Sequence, residues 1–165
     1  MRHLDFVTQC LHPEWDVSFI SVTEQWAQFA VAGPKARDLL SSFVDGDISN
    51  DAFGFMQCGS MSVMGVSGRL FRISFSGEMG YEVAVPARYG DSLFRLLVAK
   101  AKELGGGAYG MEALNVLRIE KGFITHAEIH GRTTAFDIGM ERMISAKKDC
   151  IGKAAAARPG MIDPD

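Results

Sequence analysis

The sequence predicts an α+β fold, a mainly antiparallel sheet with helices packed on one face. Three observations carry that prediction. Residues 71–75 and 81–85 alternate in polarity on either side of a glycine-containing turn, as in a hairpin with one buried face. Residues 89–104 follow directly with leucines at helical spacing. Strand-like and helix-like segments interleave, yet the closest strand pair is a hairpin and not a crossover, which disfavours a doubly wound parallel sheet.

The elements are justified in order. Val17 to Val22 and Trp26 to Ala32 are rich in β-branched and aromatic residues and read as strands. Gly33-Pro34 breaks the run, and proline suits the first turn of the helix expected over Lys35 to Val44, with Ala36, Leu39, Leu40 and Phe43 inward. Met56 to Val66 and Arg69 to Phe75 read as strands joined by a turn at Ser67-Gly68. Phe71, Ile73 and Phe75 are expected to share a face with Tyr81, Val83 and Val85 on the return strand, which Pro86 ends. The helix from Tyr89 to Leu104 should bury Leu93, Leu96, Leu97 and Leu104. A glycine break at Gly105-Gly106-Gly107 precedes a second helix, from about Tyr109 to Lys121. Beyond it the pattern weakens into loops, with a short helix at Lys153 to Arg158.

With 165 residues, 47% of them hydrophobic and 22% charged, the chain suits one globular domain, residues 1–165, and not a disordered segment. Both ends are abrupt, and the chain reads as a truncated piece of a longer protein. Such a piece would leave apolar surface uncovered, so self-association is expected. Seventeen basic against twenty acidic residues give a net charge of −3 with no basic block, which argues against a nucleic-acid partner. No apolar run approaches the roughly 20 residues that span a bilayer, so no membrane partner is expected. MRHLDFVTQC lacks the apolar core of a secretory signal, and the chain reads as cytoplasmic. Cys10, Cys58 and Cys150 are too scattered for a disulfide framework or a zinc ribbon.

Four constellations bear on function. GGGAYG at 105–110 satisfies the letter of G-x-G-x-x-G, but it follows a helix where a dinucleotide site needs a preceding strand, so it reads as a flexible connection. His126 and His130 are four apart, but Gly122 and Gly131 flank them and favour a loop, so no metal site is assigned. Arg118 sits late in an apolar helix, where it can cap the helix end or hold an anionic group. Glu82 lies inside a strand and points away from Tyr81, Val83 and Val85, towards the face expected for Arg72, Ser74 and Ala84. If that face is open, Glu82 is a solvated charge. If it is covered, the carboxylate must be paired or must accept hydrogen bonds from a ligand, because burying it alone is costly.

Four stretches together resemble the folate-binding aminomethyltransferase family, whose best-known member is the T-protein of the glycine cleavage system. QFAVAGPKARDLL resembles the family's Q-G-P-x-A segment, and FSGEMGYEVAVP its G-E-x-G-[YF]-E hairpin. YGMEALNVLRIEKG resembles its L-R-[LI]-E helix, and KKDCIGK its F-I-G-[KR] stretch. Within the family the likeness is greatest to the branch carried by alpha subunits of heterotetrameric sarcosine oxidases.

The resemblance implies a partial folate-binding domain that takes part in oxidative demethylation of sarcosine, with tetrahydrofolate capturing the one-carbon unit as 5,10-methylenetetrahydrofolate. It places the folate-binding carboxylate at Glu82, with Tyr81, Phe75 and Arg118 as further folate contacts. FAD, FMN and NAD would be bound by other parts of the parent complex, whose beta, gamma and delta subunits would be the partners. No catalytic residue is assigned, because the family's catalytic aspartate precedes the Q-G-P segment; the piece alone is expected to be inactive. Leu114 and Asn115 stand where glycine cleavage enzymes carry arginine and aspartate, and Phe75 replaces an aromatic hydroxyl. Leu114 argues against the first rival, an aminomethyltransferase of the glycine cleavage system. The second rival is a non-catalytic relative such as the gamma subunit type.

Overall fold

Helix α1, Arg2–Gln9, opens the chain, and strand β1, Trp26–Ala32, follows after an irregular stretch. Helix α2, Ala36–Leu40, leads to strands β2, Cys58–Val63, β3, Val66–Phe71, and β4, Gly80–Pro86. Helices α3, Gly90–Glu103, α4, Met111–Lys121, and α5, Lys153–Ala156, complete the order. The computed structural model describes residues 2–150, 152–156 and 158, and they form two compact units, Met1–Asn115 and Val116–Asp165. The part of the expected last helix beyond Ala156 falls largely outside the described residues.

In the first unit four antiparallel strands form one sheet in the order β1-β4-β3-β2. The predicted fold class is therefore the observed one: an antiparallel sheet with α2 and α3 against a single face. That face carries Tyr81, Val83 and Val85 from β4, Leu70 from β3 and Val63 from β2. Ala36, Leu39 and Leu40 from α2 and Leu93 and Leu97 from α3 close over them. Leu96, expected inward, is 40% exposed, because it falls on the flank of the stripe set by Leu93 and Leu97.

Three further details differ from the sequence reading. Residues 17–22 form no strand; β-branched composition favours an extended chain, but a strand needs a ladder, and no described residue pairs with them. The β2–β3 turn lies at Met64-Gly65 and not at Ser67-Gly68. Both turn residues have left-handed backbone, φ +51° and +78°, as a two-residue hairpin with right-handed twist requires. Asp45 holds this turn by accepting from the Ser62 hydroxyl at 2.6 Å and the Gly65 amide at 3.2 Å. Gly68 lies inside β3, where an added Cβ would stand 2.7 Å from the Ala84 carbonyl oxygen. Side-chain space, and not a turn, explains that glycine.

The third difference decides the site. β3 ends at Phe71, and the register opposes Phe71 to Glu82 and Leu70 to Val83. Opposed residues of an antiparallel pair share a face, so Leu70 joins the core while Phe71 joins Glu82. Arg72 does not share the Glu82 face. Its guanidinium stands 5.6 Å from the centre of the Tyr81 ring and donates to the Phe53 carbonyl at 2.8 Å.

Tyr81 is 1% exposed, and its hydroxyl donates to the Ile48 carbonyl at 3.2 Å while accepting from Arg37 Nε at 2.9 Å. Tyr81→Phe leaves both partners short of a hydrogen bond in a dry setting. It is expected to cost about 1–3 kcal/mol, read as lost hydrogen-exchange protection in β4. Unchanged protection would show that the hydroxyl is not structural.

In the second unit Arg118 is 4% exposed, and its Nη1 donates to the Phe123 carbonyl at 3.1 Å and to Glu128 at 2.9 Å. Glu128 also accepts from the Thr125 amide at 2.7 Å and the Thr125 hydroxyl at 3.1 Å. One carboxylate thus ties the loop after α4 to the arginine inside it. The Thr125 amide first, and Arg118 next, hold the Glu128 carboxyl down from 4.5 to about 2. A depressed folded value means that these bonds stabilise the loop above the unfolded pKa and are lost as pH falls from about 4.5 through about 2. The Thr125 amide resonance is expected to titrate near the lower value in the wild type and not at all in Glu128→Gln. A midpoint near the ordinary carboxylate value would mean that the clamp is not formed.

Candidate functional site

Glu82 stands on β4 between Ala30 of β1 and Phe71 of β3, on the face turned away from the core. Apart from Phe71, its neighbours on that face are small: Ala30 and Ala32 on β1, and Gly80 and Ala84 on β4. The glycine is required by space, since a Cβ at position 80 would come 2.8 Å from Ser74 Cβ. Its absence lets residues 73–76 fold close to β4. Ser74 and Ser76 hydroxyls lie 3.2 Å apart in that segment, and Ser76 is buried.

The carboxylate is half-buried and is met by one side chain, Gln28 of β1, whose Nε2 donates to Glu82 Oε2. Among the described residues Glu82 has no ion-pair partner. Arg69, the basic residue of this face, is engaged elsewhere, its guanidinium stacked 4.2 Å from the centre of the Trp26 ring. Glu82 therefore presents a net negative charge and an acceptor oxygen within a setting of small residues.

A narrow cleft of about 50 Å³ opens beside it, bordered by Ala30, Ala32, Ser74, Phe75, Glu82 and Tyr109. Residues 30–32, Tyr109 and Leu114 also border a second cavity of about 670 Å³, with apolar walls that include Phe29, Leu39, Phe94, Leu97 and Leu104. The Phe29 and Phe94 rings lie 5.7 Å apart there. The larger volume is in the range of sites for small organic molecules. The two spaces meet at Tyr109, whose phenol pKa is raised by burial and then by the Glu82 charge. Tyr109 is thus a neutral hydroxyl at physiological pH.

The structure brings Glu82 and Phe75 to one cleft. Tyr81 borders it too, but with its hydroxyl turned into the core. Arg118 belongs to the second unit, where it binds Phe123 and Glu128. Leu114 lines both spaces, so the position that holds an arginine in the resembling glycine cleavage enzymes faces the same opening.

Two residues of the site escaped sequence reasoning. Gln28 becomes visible only once the register sets β1 beside β4. Tyr109, an aromatic residue set among the glycines at 105–110, was a legible signal hidden by the reading of that stretch as mere linker. The glycines do end α3: Gly105, at φ +84°, donates to Lys102, and Gly106 to Ala101 at 2.7 Å. Among the described residues no group of three or more His, Cys, Asp or Glu is placed to hold a metal, and no helix is long and apolar enough to cross a membrane.

The family of this antiparallel domain is shown by comparison with known proteins. The chain matches the GCVT N-terminal domain family over residues 1–148 and belongs to it. Its relatives narrow the branch. The chain is 51% identical over 168 residues to sarcosine oxidase subunit alpha of Rhizobium meliloti (strain 1021), covering 100% of this chain and 17% of that one. It is 41% identical over 168 residues to sarcosine oxidase subunit alpha of Corynebacterium sp. (strain P-1), covering 98% of this chain and 17% of that one. A solved structure, heterotetrameric sarcosine oxidase from Corynebacterium sp. U-96 in complex with pyrrole 2-carboxylate, superposes with a TM-score of 0.54. That match has 17% identity and covers 65% of this chain and 53% of the other, and it speaks for the fold alone. The chain spans about a sixth, 17%, of the length of these curated relatives.

Proposed function

We propose that this chain supplies the reduced-folate grip of a sarcosine-oxidising enzyme of the sarcosine oxidase alpha-subunit type. In this reading tetrahydrofolate captures the carbon released by oxidative demethylation of sarcosine, leaving as 5,10-methylenetetrahydrofolate. The observation that supports it best is Glu82, a half-buried strand carboxylate with no ion-pair partner among the described residues, beside the small residues Ala30, Ala32, Gly80 and Ala84. A flat heterocycle fits over small residues, and the amino and ring N–H groups of a pterin suit a carboxylate that accepts two charge-assisted bonds. Glu82 grips the ligand, Phe75 borders its ring, and Tyr81 supports β4 from the core side.

The chemistry of oxidation belongs to FAD, FMN and NAD held by other parts of the cytoplasmic complex, and the beta, gamma and delta subunits are the partners. Self-association of this chain alone belongs to the same reading. Phe19, Ile20, Phe55 and Met56 are exposed apolar residues that partner surfaces would cover.

The test is equilibrium binding of tetrahydrofolate to the full chain, alongside the analogue in which an oxo group replaces the pterin 2-amino group. Tight binding of the first and weak binding of the second are expected, since the oxo group sets an acceptor against the carboxylate. Equal binding of both, or of neither, would sink the reading. Failure to bind either would favour a non-catalytic partner of the gamma subunit type.

A further inference from the structure

We propose that Gln28 is the positioning residue of the Glu82 site, aiming the carboxylate at the ligand. The inference rests on the reading that Glu82 grips a reduced folate, and it deepens that reading by saying how the grip is set.

Three observations lead to it. A carboxylate only accepts hydrogen bonds, so the atom of the Gln28 amide that meets Glu82 Oε2 must be Nε2, and the carbonyl Oε1 is the other end of the same amide. The amide orientation is thereby fixed by chemistry. Gln28 opposes Ala84 and Glu82 opposes Ala30, so the two polar side chains reach each other diagonally across β1 and β4 over a floor of alanines. Gln28 borders the 670 Å³ cavity and Glu82 borders the 50 Å³ cleft, so their hydrogen bond links the two spaces.

An amide suits this task better than a lysine or arginine would. A cation would hold the carboxylate equally well but would cancel the charge that the ligand's N–H groups need. Arg69, on the same face, is kept on Trp26, and the neutral amide does the orienting. One Nε2 hydrogen is spent on Glu82, and Gln28 keeps its carbonyl oxygen and its second N–H. The oriented carboxylate then selects a ring edge carrying adjacent N–H donors, such as the cyclic guanidine edge of a reduced pterin, and rejects one that places an oxygen there.

The experiment uses the full chain and 5-formyltetrahydrofolate as a stable reduced folate, with Gln28→Leu, Gln28→Glu and Glu82→Gln variants. Gln28 is exposed on β1, so the fold is expected to survive, with thermal melting as the control. Gln28→Leu is expected to weaken binding about tenfold at neutral pH, the loss of one charge-assisted contact. Gln28→Glu keeps the shape but sets a second acceptor against Glu82, and is expected to weaken binding at least as much. A residue with no polar contact to Glu82 would tolerate that isosteric change. In ligand-free crystals of Gln28→Glu, the Glu82 carboxylate is expected to leave its position beside residue 28.

If Glu82→Gln weakens binding while Gln28→Glu binds within about twofold of wild type, this inference is overturned and the folate reading stands. If Glu82→Gln binds as wild type does, or the wild type does not bind, the folate reading falls. An unmoved Glu82 in the Gln28→Glu crystals would overturn the orienting role whatever the ligand.

Discussion

Glu82→Ala is expected to weaken tetrahydrofolate binding by the full chain about a hundredfold, with little change in stability. The size follows from what is removed: truncating one partner of a desolvated, charge-assisted pair costs roughly 2–5 kcal/mol, and about 3 kcal/mol corresponds to two decades in Kd. Stability is spared because Glu82 lies off the core face and bonds only Gln28 among the described residues. Glu82→Gln separates charge from shape. It keeps the volume but presents an N–H where the ligand's own donors arrive, so it should lose nearly as much as alanine. Isothermal titration of the three proteins reads the result, and an alanine variant within about twofold of wild type would remove Glu82 from the site.

The second large effect is in the core. Leu40 is fully buried, 0% exposed, at the end of α2, in the cluster that includes Leu39, Val83 and Leu97. Leu40→Ala removes three carbons from a place that cannot collapse fully, because the sheet stands on one side and α3 helps close the other. The expected cost is about 3 kcal/mol, within the usual range for buried leucines. It should appear as a loss of roughly a hundredfold in hydrogen-exchange protection of the β4 amides. Leu96→Ala on α3 serves as the contrast: at 40% exposure it should change protection by only a few-fold, a cost of roughly 0.5 kcal/mol. Equal losses at the two positions would mean that α2 does not seal the core.

Gln28→Leu and Leu40→Ala therefore act on opposite faces of one sheet. One is expected to cost binding without stability, and the other stability. Their separation is the functional consequence of strand alternation, which puts the ligand-facing and core-facing residues of β4 one position apart.

Much of this was legible in the chain itself. Val83 and Val85 could be assigned to the core because a strand turns alternate residues the same way, and Leu93 and Leu97 because a helix returns to one face every three to four residues. Glu82 stood out for the same reason: a charge in the off-phase of an apolar alternation is visible without any structure. The glycine break that ends α3 was equally local, since few residues other than glycine adopt the left-handed backbone seen at Gly105. These are rules of a single segment, and a sequence carries them in full.

What escaped were relations between segments. Phe71 was placed with Tyr81 because strand length was overestimated; a register shift of one residue exchanges faces, and only the ladder between β3 and β4 decides it. Residues 17–22 have strand composition but no partner among the described residues, and a strand is a property of a pair. The Met64-Gly65 turn was missed because methionine rarely takes left-handed backbone; it does so here with Asp45, nineteen positions earlier, holding the hairpin end. Gln28 and Glu82 lie 54 positions apart, and nothing in the pattern of either strand says that they meet. By itself, the sequence determined the fold class, the core face and the singular carboxylate, because periodicity and backbone preference are local. The tertiary structure alone decided which residue holds that carboxylate and which space it borders, because register and diagonal contact exist only once distant segments pair.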